Sequence, residues 1–98
     1  MAQLEYSTKT RGLVVVTVGP AGARVGRRKD LELVLESAFA APLHFVVLVE
    51  GGHYVVVDQR TANGTFLNGR RLWARAALRD GDVLSVGTDA RVVFRARP

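Results

Sequence analysis

Ninety-eight residues are enough for one modest hydrophobic core and too few for two. Apolar residues make up 48% and charged residues 23%, a balance that excludes disorder on composition and supports independent folding. There is no cysteine, which excludes disulfides, thiolate zinc sites and cysteine nucleophiles together.

No apolar run nears the roughly 20 residues of a membrane helix. Met1 to Arg11 is polar and lacks the apolar segment of a signal peptide, so a cytoplasmic location with no membrane partner is expected. The formal charge of +5 is nearly all arginine, since Lys9 and Lys29 are the only lysines. A guanidinium presents a planar fork of donors that suits phosphate and carboxylate, which points to an acidic or phosphorylated partner. A coding bias toward arginine is the competing explanation.

In chain order, residues 1–11 read as a loose tail and residues 12–98 as the folded domain. Leu13 to Val18 is β-branched and predicts a buried strand. Gly19-Pro20-Ala21-Gly22 turns the chain into a short strand over Ala23 to Arg27, with Arg27-Arg28-Lys29-Asp30 as a tip. Leu31, Leu33 and Leu35 alternate with polar or smaller residues as in a half-buried strand, and the segment is too short for a helix. Ser37 to Leu43 is a loop in which Pro42 biases Ala41 toward an extended conformation. His44 to Val49 and Tyr54 to Val57, joined through Gly51-Gly52, predict a hairpin from the centre of a sheet. Asp58 to Ala62 is a polar loop. Asn63-Gly64 and Asn68-Gly69 each read as a tight turn around a very short strand. Arg70 to Leu72, Val83 to Val86 and Arg91 to Phe94 complete about nine or more short strands with no helix, which defines an all-β, two-sheet sandwich.

Enzymatic constellations are missing. The glycines fit neither nucleotide-binding loop, no serine sits in Gly-x-Ser-x-Gly, and no catalytic residue or cofactor is expected. His44 opens an apolar strand and reads as a hydrogen-bonded structural residue, while His53 falls at a hairpin end. Asp80 and Asp82 lack the other ligand positions of a calcium loop, so no metal is assigned. What remains is a rim of loops, where a rigid sandwich normally carries its binding residues. Arg27-Arg28-Lys29 and Arg60-Thr61-Ala62-Asn63 would set cationic forks beside a carboxamide. Such forks hold phosphate through paired charge-assisted bonds, and a carboxamide both donates and accepts toward a peptide backbone.

Gly26-Arg27, the strand over Glu32 to Leu35, His44, Asn63 to Gly69 and Leu78 to Gly87, in that order, resemble the forkhead-associated (FHA) domain over nearly the whole chain. The resemblance implies a β-sandwich that binds phosphothreonine peptides through loops at one end. By it, Arg27 would contact the phosphate and Asn63 the peptide backbone; beside the resemblance, Arg28, Lys29 and Arg60 are candidates to replace phosphate contacts the family makes with hydroxyls, and Thr61 is a further candidate contact. Gly26, His44 and Gly64 would support the loops. Two departures stand out: the family's serine three residues before the histidine is Ala41, and the threonine before Asn63 is Ala62. The expected partner is therefore a phosphothreonine-containing protein or peptide, bound with weakened affinity. A phosphate-independent scaffold that self-associates is the first alternative. Nucleic-acid binding is disfavoured, because no aromatic residues are spaced along a basic strand face.

Overall fold

Eleven strands in two sheets make up the regular structure of residues 1–97, the part described by this computed structural model. They are β1 (Ala2–Ser7), β2 (Leu13–Val18), β3 (Ala23–Gly26), β4 (Leu33–Val34), β5 (Phe45–Glu50), β6 (His53–Asp58), β7 (Phe66–Leu67), β8 (Arg70–Arg71), β9 (Ala76–Ala77), β10 (Val83–Val86) and β11 (Ala90–Ala96). A six-stranded sheet runs β2-β1-β11-β10-β7-β8, and a five-stranded sheet runs β4-β3-β5-β6-β9. Strand pairing is antiparallel except between β3 and β4.

Each sheet turns one face inward, as period-2 alternation requires. Leu4, Tyr6, Leu84, Val86, Val92 and Phe94 come from the first sheet, and Val25, Leu33, Phe45, Val47 and Val56 from the second; all are buried in one cluster. Tyr54 adds a tilted contact with Phe94 across the layers, ring centroids 5.3 Å apart. The buried Tyr6 hydroxyl accepts the Glu36 N–H at 2.9 Å, which ties the first sheet to the loop after β4.

The expected tail is corrected. Residues 2–7 form β1, which lies between β2 and β11 and buries Ala2, Leu4 and Tyr6. The alternation Ala-Gln-Leu-Glu-Tyr-Ser is a half-buried strand pattern whose polar members face out. The Leu13–Val18 segment is a strand but not a buried one: β2 is a sheet edge, with Leu13 62% and Val15 47% exposed. The leucines at 31, 33 and 35 are all buried, although only Leu33–Val34 pairs as strand. Arg24 clasps Glu32 through Nε and Nη2 at 2.9 and 2.8 Å, and this fork holds the Glu32 carboxyl down at about 2. The second Asn-Gly pair makes the hairpin turn expected of it, with Asn68 at φ 51° and Gly69 at φ 85°. The first pair lies in a longer loop and makes no hairpin, since β6 ends at Asp58 and β7 begins at Phe66.

Met1 and Arg97 meet at one end of the sandwich: the Met1 amino group donates to Arg97 O at 3.1 Å, and the Arg97 N–H to Met1 O at 2.9 Å. The turn after β1 and the loops after β3, β4, β6 and β10 gather at the other. Deleting residues 1–7 should therefore abolish the cooperative thermal transition rather than trim a disordered arm. Burial of Leu4 and Tyr6 alone is worth roughly 1.5–3 kcal/mol each. Retention of a sharp transition by residues 8–98, followed by circular dichroism, would contradict this placement.

Candidate functional site

His44 precedes β5 and is fully buried, at 0% exposure. Its Nδ1 accepts the Ala41 N–H at 3.0 Å, and its Nε2 lies 2.8 Å from the Gly64 carbonyl oxygen. An acceptor at Nδ1 and a donor at Nε2 define the neutral Nε2–H tautomer. One ring thus joins the loop between β4 and β5 to the loop between β6 and β7. The sequence reading of His44 as structural agrees with this position.

Beneath the ring lies an Asp58 cluster that the sequence reading passed over as a polar loop. Asp58 Oδ1 accepts the Thr61 and Thr65 hydroxyls at 2.8 and 2.7 Å, and Oδ2 accepts the Thr61 N–H at 3.0 Å. The Gly64 N–H donates to Thr61 Oγ1 at 3.0 Å, and the same oxygen is 3.3 Å from His44 Nε2. Burial disfavours the Asp58 charge, but the hydroxyls of Thr65 and Thr61 and the Thr61 N–H outweigh it and hold the carboxyl below its usual range. Among the described residues, no buried side-chain polar atom lacks a partner. Thr61, expected at the ligand surface, is instead half-buried with its hydroxyl engaged inside the loop. Asp58-x-x-Thr61 is a side-chain-to-backbone turn pattern that could have signalled this.

The tip after β3 is fastened to the same frame. Arg27 and Arg28 donate their N–H groups to the carbonyls of Ala41 and Pro42, at 3.0 and 3.1 Å. Gly26 permits that approach, because a Cβ there would stand 2.3 Å from Pro42 O. Asn63 completes the closure, its Nδ2 donating to Phe39 O at 2.9 Å while Oδ1 stays open. Arg27 and Asn63, the two principal candidates, therefore flank a single segment, Phe39–Ala41.

The rim is unevenly charged. Arg27 is exposed and makes no ion pair among the described residues. Arg28 is engaged by Asp30, Nε to Oδ1 at 3.0 Å and Nη2 to Oδ2 at 3.2 Å. Arg60 is exposed and has φ 57°, left-handed backbone that suits glycine better. Arg71 donates to Ala62 O at 3.2 Å and packs over Gly64, and its guanidinium lies 4.4 Å from the centroid of the exposed Trp73 ring. Sequence reasoning assigned Arg71 and Trp73 no role.

A sandwich with a braced, cationic loop rim at one end belongs to the class of loop-borne interaction modules. Comparison with known proteins makes this specific: the FHA domain model matches residues 23–87, and the chain belongs to that family. FHA domains are phosphothreonine-binding interaction modules. The chain is 38% identical over 68 residues to the ABC transporter ATP-binding/permease protein Rv1747 of Mycobacterium tuberculosis, covering 69% of this chain and 8% of that protein. It is 34% identical over 96 residues to the glycogen accumulation regulator GarA of Mycolicibacterium smegmatis, covering 88% and 60%. It thus spans less than two thirds of the length of these relatives. Among solved structures, M. tuberculosis EmbR in complex with a low-affinity phosphopeptide superposes with a TM-score of 0.80 at 28% identity, over 97% of this chain and 24% of that one. The FhaA FHA domain complexed with the intracellular domain of Rv3910 gives 0.84 at 21% identity, over 97% and 100%.

Two outcomes follow from this geometry. Arg60→Gly should raise stability by about 1 kcal/mol by relieving the left-handed backbone, read as a higher denaturant midpoint at unchanged slope. A depressed carboxyl contributes stability above its unfolded value, near 3.8 for Asp58, and loses that contribution as pH falls through the lower folded value. The stability difference between the parent and Asp58→Asn should accordingly shrink between about pH 5 and about pH 2; a constant difference would mean that the charge of Asp58 is immaterial.

Proposed function

We propose that this domain recognises a phosphothreonine-containing segment of a partner protein, with Arg27 on the phosphate and Asn63 on the peptide backbone. The observation that carries the reading is the placement of a free guanidinium and a partly free carboxamide on either side of Phe39–Ala41. A guanidinium holds a phosphate dianion through two parallel charge-assisted bonds. The Asn63 Oδ1 accepts a peptide N–H while Nδ2 stays on Phe39 O, so the carboxamide needs no reorientation on binding. No bond is made or broken, and the role is interaction rather than catalysis. The phosphopeptide bound to EmbR supports this ligand class for a relative of the same fold.

Binding is weakened in this chain. Ala41 and Ala62 carry no hydroxyl, and the hydroxyl of Thr61 is held by Asp58. Each missing hydrogen bond to a charged group costs roughly 1.5–3 kcal/mol, or about tenfold to a hundredfold in affinity. The same shortage favours a second reading, in which the domain serves as a phosphate-independent scaffold. Arg28 adds to phosphate binding only by leaving Asp30, and Arg60 supplies charge from the loop margin.

Calorimetric titration with one phosphothreonine peptide and its unphosphorylated twin decides between the readings. The parent should prefer the phosphorylated form. Ala41→Ser with Ala62→Thr should tighten binding by about one to two orders of magnitude, and Arg27→Ala should abolish it. Equal affinity for the two peptides, unchanged by the double restoration, would establish the scaffold reading instead.

A further inference from the structure

Arg11, Arg27 and Lys29 line one depression of about 750 Å³ at the loop end of the sandwich. Other cations around it are already committed: Lys9 to Asp89, Arg24 to Glu32 and Arg28 to Asp30. Among the described residues, Arg11, Arg27 and Lys29 form no ion pair. Glu36 is the one carboxylate on the wall, and its oxygens are turned to the β1–β2 turn. Oε1 accepts the N–H groups of Lys9 and Thr10 at 2.6 and 3.3 Å, and Oε2 accepts the Thr10 hydroxyl.

These contacts fix the turn that presents Arg11. Thr8 Oγ1 donates to Gly12 O at 2.8 Å and accepts the Arg11 N–H at 2.7 Å, while Lys9 Nζ reaches Asp89 at 2.6 Å. The Arg11 backbone is therefore held before any ligand arrives, which lowers the entropy cost of using its side chain. Three cations against one engaged carboxylate leave a net charge of +2 along the wall of this depression.

We propose that Arg11, together with Lys29, forms a second anion subsite beside Arg27, selecting peptides that carry a further anionic side chain, carboxylate or phosphate, near the phosphothreonine. The subsite rests on the reading that Arg27 holds the phosphothreonine phosphate. It makes the β1–β2 turn part of the recognition surface.

The test is fluorescence anisotropy with equal-length peptides: one phosphothreonine in an alanine background, the same peptide with a single Asp walked through the flanking positions, and phosphoserine at the best of those. The proteins are the parent, Arg11→Ala, and Arg97→Ala as a charge-matched control at the opposite end of the sandwich. Asp should tighten binding roughly three- to tenfold at one or two positions, and phosphoserine more. Arg11→Ala should erase that increment and Arg97→Ala should keep it, with equal melting temperatures showing that both variants fold. A flat Asp scan, or an increment that survives Arg11→Ala or falls equally in Arg97→Ala, overturns the subsite while leaving phosphothreonine recognition standing. Failure of every phosphorylated peptide to bind removes that recognition itself, and the subsite with it.

Discussion

The recognition end of this domain hangs on one imidazole. His44, itself fully buried, holds the Ala41 N–H on one side and the buried Gly64 carbonyl on the other. A buried peptide group left without a partner costs about 1–3 kcal/mol, so the ring is a condition of the loops being closed at all. Arg27 is fastened to the carbonyl of Ala41, and Asn63 directly precedes Gly64. The position of each follows from the ring. Neither lysine nor arginine can substitute, since each donates but cannot accept.

The surface above separates two populations of arginine. Arg24, Arg28, Arg75 and Arg95 are paired with carboxylates and act as fasteners on the sandwich. Such exposed pairs contribute little, since water screens both partners and two long side chains must be held in one geometry. Among the described residues Arg27 has no carboxylate partner; solvation makes that inexpensive, and its field is therefore available to a ligand. The composition, rich in arginine, does not distinguish the two groups. Their difference lies in which loops bring a carboxylate within reach.

Much of the sandwich was legible in the residues because β-branched runs and turn-forming pairs carry local signals. The hairpin at Asn68-Gly69, the central β5–β6 pair and the structural His44 were read from such signals. The strand over residues 2–7 was not, since Gln3, Glu5 and Ser7 are weak strand formers and its pairing with β11 spans almost the whole chain. Nor could a continuous apolar segment at 13–18 reveal that only one neighbour would cover it, as the exposed Leu13 and Val15 show. In the site, residue type and order bring Arg27 and Asn63 forward as candidates, and the structure fastens both to the Phe39–Ala41 segment. The engagement of the Thr61 hydroxyl with Asp58 and the Gly64 N–H is not legible from residue type, since it depends on how the loop folds back on itself.

The pairing of Met1 with Arg97, at the end of the sandwich opposite the loops, has an engineering meaning. A stretch whose ends lie together can be spliced into a surface loop of a host without stretching either partner, and its binding rim then points away from the splice. The same proximity allows the order of the chain to be rewired. A short bridge across the old ends, with a cut between Gly51 and Gly52, would open a tight turn whose glycines stand clear of neighbouring atoms, and every strand pair but β5–β6 would keep its connectivity. The loops that carry the site and the end available for mounting thus lie at opposite ends of one sandwich.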